Sequence, residues 1–198
     1  TATWPRFTWA RVPVHIDLPP TLPPGRLTVE LALLANDDPI ETCELATTLD
    51  VTPRPRAFEV PALPHAQPAD FGDELRLLGY GLEREAGSLA LTLWWQAPRA
   101  PAHDYKRFVH LFDPATEQVP VQDDAMPRAW AYPTSWWAAG EVVSETVTLD
   151  LGGLAPGTYR LAVGWYAPET LDRLPARGPE DERLPADRVI LGEMVRVD

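Results

Sequence analysis

The chain has 198 residues, 45% of them apolar, which is enough for a sizeable buried core. Its net charge of −12 excludes nucleic acid as a partner, because the phosphates would be repelled, and disfavours docking on anionic lipid. No run of about 18 apolar residues is present for direct membrane insertion, and the single cysteine, Cys43, excludes a disulfide framework within the chain.

Prolines (23) and glycines (12) punctuate short apolar runs, which is the pattern of strands separated by turns. Proline also disfavours helix interiors, so no helix longer than two turns is expected. Thr1 opens directly into polar and aromatic sequence with no signal-peptide pattern, and is expected to be a processed or internal end. Period-two alternation marks the strands in chain order. Val12, Val14, Ile16 and Leu18 share one face of the first. Leu27, Val29, Leu31 and Leu33 share a face of the second. The third runs from Thr42 to Thr52 and holds Cys43, which reads as a small buried hydrophobe. Ala57 to Val60 reads as a short fourth.

A proline-rich stretch, Pro61 to Pro68, follows. Proline cannot donate to a strand ladder, so this stretch is expected to be a connector. The predicted division is a partial repeat with linker over 1–66 and a complete sandwich over 67–198. Beyond the connector the alternation resumes at Leu75–Tyr80, and then at Leu89, Leu91, Leu93 and Trp95, with Trp94 on the opposite face. Phe108–Phe112 is almost continuously apolar, and Val119–Gln122 is short. Val143–Leu151, Tyr159–Trp165 and Val189–Val197 complete the set. Strands of this number and spacing predict an all-β, jelly-roll-like antiparallel β-sandwich.

The chain also resembles itself. Asp17-Leu18, Leu22-Pro-Pro-Gly25 and Leu27–Leu33 match Asp150-Leu151, Leu154-Ala-Pro-Gly157 and Tyr159–Trp165. Leu45–Thr52 matches Leu191–Asp198. Gly25 and Gly157 are expected to supply the positive φ of a type II turn. The early copy therefore reads as the back half of a module, with one sheet face uncovered and expected to pack on the complete module.

Several segments together carry a resemblance to a known domain: Phe71–Leu75 (FGDEL), Leu78-Gly79-Tyr80, Tyr105–Asp113 (YKRFVHLFD), Gln122-Asp123, Tyr132–Trp136 (YPTSW), Gly140-Glu141 and Pro156–Tyr159 (PGTY). Residues 67–198 resemble the C-terminal extracytoplasmic β-sandwich of protein-mannosyltransferase-like (family 39-type) membrane glycosyltransferases of Chloroflexi-type bacteria. The resemblance implies a non-catalytic accessory domain on the outer face of the cytoplasmic membrane. Its partners would be the neighbouring domains of a membrane-anchored parent chain. It carries over no catalytic residue.

The residues taken alone agree with a non-enzymatic reading. The three serines, Ser88, Ser135 and Ser144, lie outside any nucleophile-elbow pattern. His110 sits inside an apolar strand and reads as structural. Histidine spacing gives no zinc pattern. Asp113, Gln122, Asp123 and Asp124 form a loop-rich set of oxygen ligands suited to calcium, or else caps of turns. The most plausible binding chemistry is aromatic. Trp94, Trp130, Tyr132, Trp136 and Trp137 could stack on sugar rings while Gln122, Asp123 and Asp124 fix hydroxyls. The same rings could instead plug the ends of the sandwich.

Overall fold

The computed structural model describes Leu18 and residues 22–35, 38–52 and 54–198. The expected strand on Val12, Val14 and Ile16 lies outside the described residues, as does the side chain of Cys43. The chain divides into two compact units, Thr1–Arg54 and Pro55–Asp198.

In the first unit Gly25–Ala35 (β1) pairs antiparallel with Asp38–Val51 (β2). In the second, nine strands follow: β3 His65–Phe71, β4 Leu75–Glu85, β5 Ser88–Gln96, β6 Lys106–Phe112, β7 Val121–Ala125, β8 Val142–Asp150, β9 Gly157–Tyr166, β10 Ala176–Arg177 and β11 Val189–Val197. They form two sheets, ordered β10-β3-β4-β5-β8 and β11-β9-β6-β7. The protein is an all-β antiparallel sandwich. The chain meanders through β3, β4 and β5, crosses to the other sheet for β6 and β7, and returns with β8 beside β5, in the manner of a Greek key.

The core follows the alternation. In β5 every second residue is buried, and Trp95 is fully buried while Trp94 is not. Trp95 packs edge-on against Phe71 (5.9 Å) and Trp165 (4.9 Å), and Trp165 packs edge-on against Trp137 (6.1 Å). Such edge-to-face pairs add about 0.5–1.5 kcal/mol each beyond burial of their area. Strand β8 alternates buried and exposed along most of its length, as a strand with one wet face should. Strand β6 does not: Phe108 and Phe112 on its outer face are as buried as Val109 and Leu111 on its inner face. This explains its continuous apolar sequence. The guanidinium groups of Arg173 and Arg188 lie over Phe108 (4.4 Å) and Phe112 (4.6 Å), closing the outer face.

The division into units falls between Arg54 and Pro55, ahead of the proline-rich stretch. Three expectations need correcting. That stretch feeds a ladder after all, because β3 begins at His65 and tolerates Pro68 through a register shift between Ala66 and Ala69. Gln67 at this irregularity donates to the Ile190 carbonyl (2.9 Å) and accepts from the Gly192 amide (3.2 Å). Ala57 makes an isolated bridge to Val142 in place of a fourth strand. Finally, Gly157 is the first residue of β9 and does not take a positive φ; Gly153 (82°) is the left-handed residue of that turn.

The two copies of the repeat share their pairing. In β1–β2, Gly25 faces Val51, Leu27 faces Leu49 and Thr28 faces Thr48; a register shift follows, and Glu30 then faces Glu44 and Leu31 faces Cys43. In β9–β11, Gly157 faces Val197, Tyr159 faces Val195 and Arg160 faces Met194; after a shift at the same place, Ala162 faces Ile190 and Val163 faces Val189. These pairs correspond position by position, the first bulge included; β1–β2 has a second shift, between Leu33 and Leu34.

Candidate functional site

Strand β5 ends at a loop region that holds most of the aromatic candidates. A short 3-10 turn, Thr134–Trp136, is fixed by the buried Thr134, whose hydroxyl accepts from the Tyr105 amide (2.9 Å) and donates to the His103 carbonyl (2.8 Å). On either side of it, Tyr132 and Trp137 are buried at 1% and 2% exposure. The Tyr132 hydroxyl donates to Glu141 Oε1 (2.7 Å), and Trp137 Nε1 donates to the Tyr132 carbonyl (3.1 Å). Glu141, itself buried, also accepts from the Ala138 amide (2.8 Å) and pairs with Arg56. Each polar tip finds a partner while the ring closes the core. Of the ligand-binding candidates, Tyr132 and Trp137 thus offer no ring face to solution.

The other three aromatics are dispersed. Trp136 is half-buried and packs against the core. Trp130 is 55% exposed, with the Lys106 ammonium 4.5 Å above its ring. That contact contributes about 0.5–1 kcal/mol and occupies one face, which leaves the other free. Trp94 is half-buried on the outer face of the five-stranded sheet. The benzo end of its indole lies over Gly81, where an added Cβ would come within 3.4 Å of the ring. Beside it on that face, Thr92 and Thr146 share a hydroxyl hydrogen bond of 2.9 Å.

The polar candidates separate because they lie on one strand. Gln122, Asp123 and Asp124 are consecutive in β7, an edge strand, so their side chains alternate between its two faces. Asp123 turns to Arg107 of β6, whose Nη1 also donates to the Asp123 carbonyl (2.8 Å). Asp124 turns to the opposite face and meets His110 Nε2 at 3.4 Å. Asp113 accepts from the Ala115 amide (2.8 Å) and caps its turn. Among the described residues no three His, Cys, Asp or Glu side chains converge as metal ligands.

Two clefts result. The first, of about 430 Å³, lies between the edge strands β7 and β8 and is lined by Arg107, Asp123, Arg128, Ser144 and Glu145, among others. At its base Glu145 Oε1 accepts from Trp95 Nε1 (3.0 Å), and Oε2 accepts from the Arg128 amide (3.1 Å) and lies 3.3 Å from Arg107 Nε. Sequence reasoning passed over Arg107 and Glu145, yet the signal was present. Both stand on the inward register of their strands, and a charge there must be paired. The second cleft, of about 210 Å³, is lined by Phe108, His110, Asp124, Tyr166, Leu171 and Arg173. Burial lowers the affinity of His110 for a proton below that of a free imidazole; the charges of Arg173 and Arg188 act in the same direction and Asp124 opposes them. A neutral imidazole against a carboxylate can orient a proton, but the lining supplies no serine, threonine or cysteine for it to activate.

Comparison with protein-family profiles, with curated proteins and with solved structures gives no match to this chain.

Proposed function

We propose that this chain is a non-catalytic accessory module that holds a sugar chain, or the acceptor of one, beside a membrane-bound glycosyltransferase-like protein. The setting, on the outer face of the cytoplasmic membrane, rests on the sequence resemblance alone. The single observation that supports sugar contact is Trp94, a partly exposed indole laid over Gly81 on the outer sheet face, with the Thr92–Thr146 hydroxyl pair beside it. Flat rings flanked by hydroxyls suit the apolar face of a sugar, and Trp130 supplies a second exposed ring.

The test is binding to a glycan array by the full chain and by the Trp94→Ala and Trp94→Ala/Trp130→Ala variants. Loss of binding in step with the substitutions, with thermal stability kept, is the expected result. Unchanged binding by the double variant removes the proposal. A second reading, a purely structural or interaction module with no small-molecule ligand, is favoured by the burial of Tyr132 and Trp137 and by the dispersal of the other rings; it predicts no retained glycan at all.

A further inference from the structure

Strand β9 is central in its sheet, pairing with β11 on one side and β6 on the other. Its counterpart β1 pairs with β2 on the side equivalent to β11. Among the described residues its other edge is open. The sandwich itself shows what such an edge takes. From β6 to β9, Phe112 faces Arg160, His110 faces Ala162, Phe108 faces Gly164 and Lys106 faces Tyr166. The repeat match places Thr28, Glu30, Ala32 and Leu34 at those four β9 positions.

We infer that this edge of β1, unpaired among the described residues over Thr28–Leu34, is a docking surface for one extended strand of the β6 type: about seven residues, antiparallel and mostly apolar. Backbone hydrogen bonds would give affinity, as in other cases of strand addition, and side chains would give selectivity. Two differences between β1 and β9 define the preferred occupant. Glu30, exposed, stands where Ala162 faces His110, so a basic residue is favoured at the central position of the incoming strand. Ala32 stands where Gly164 lets Phe108 lie against the backbone; an added Cβ at Gly164 would collide with the Phe108 ring. The incoming strand therefore takes a smaller side chain than phenylalanine at that point.

The experiment uses the full chain and synthetic nonapeptides with the sequence of Tyr105–Asp113, either as it stands or with Phe108→Val, Phe108→Val/His110→Glu or a scrambled order. Amide exchange is followed by mass spectrometry. The Phe108→Val peptide is expected to slow exchange in Thr28–Leu34 about tenfold or more at saturation. The unaltered peptide should do so more weakly, and the His110→Glu and scrambled forms should not. N-methylation of alternate peptide amides should abolish the effect, because a strand ladder needs them. The inference fails if no peptide slows exchange there, or if the scrambled peptide does so equally. It also fails if exchange slows with protein concentration alone, since the occupant is then a second copy of the chain. None of these failures bears on the glycan test of Trp94, which concerns another surface.

Discussion

Over Gly25–Leu31 and Gly157–Val163 the β1–β2 and β9–β11 pairs share a register and a bulge, yet their side chains live in different surroundings. Tyr159, Leu161 and Val195 are buried at 8%, 0% and 4% exposure. At the matching positions Leu27 and Val29 are half-buried and Leu49 is 38% exposed. Strand pairing thus follows from local alternation and turn chemistry, which both copies carry. Burial is supplied by an opposing sheet and a neighbouring strand, which β9 has in β4, β5 and β6. Among the described residues β1 and β2 pair only with each other, and an isolated two-stranded hairpin is marginal in water. The contrast shows that a repeated sequence specifies a repeated register before it specifies a repeated core.

The largest contrast is expected from truncating matched apolar residues. Leu161→Ala should destabilise the sandwich by about 2–5 kcal/mol, because it empties a fully enclosed site. Val29→Ala, at the matching position, should cost less than about 1 kcal/mol, since solvent already reaches it. Urea denaturation for the first and amide exchange of β1 and β2 for the second would measure them; equal costs would mean that the hairpin has a core of its own. Next comes the outer face. Gly164→Ala should cost about 1–3 kcal/mol by overpacking, as the new methyl meets the Phe108 ring and comes within 3.1 Å of the Asp187 carbonyl. Ala32→Gly, the reverse change in β1, should cost about 0.5–1 kcal/mol through backbone entropy alone.

The smallest effect is that of pH on the outer face of β6. His110 binds a proton less readily in the folded chain than in the unfolded one. Between the lowered folded value and the ordinary value of about 6.5 the unfolded chain holds more protons, so acid favours unfolding over that window. Stability of the sandwich should therefore fall as pH drops through 6.5 and level off below the folded value. His110→Gln should remove this step. A pH series of thermal melts would reveal it, and a step unchanged in the variant would assign it to another group.

Much of this molecule is written in its sequence. Alternation placed β4, β5, β8, β9 and β11 and separated Trp94 from Trp95, because successive side chains in a strand must point to opposite faces. The repeat match aligned the two strand pairs with each other. Other features depended on contacts between residues far apart in the chain. Tyr132 and Trp137 became core because Glu141, nearby at the same end of the sandwich, receives the hydroxyl of one while the ring of the other reaches Trp165. Arg107 and Glu145 met only when β6 and β8 were brought together from different sheets. The polar triplet Gln122–Asp124 was split by the pleat of β7. The outer face of β6 was closed by Arg173 and Arg188, about 60–80 residues further along the chain. Local pattern fixes which way a side chain points; only the packed sandwich decides whether anything is there to meet it.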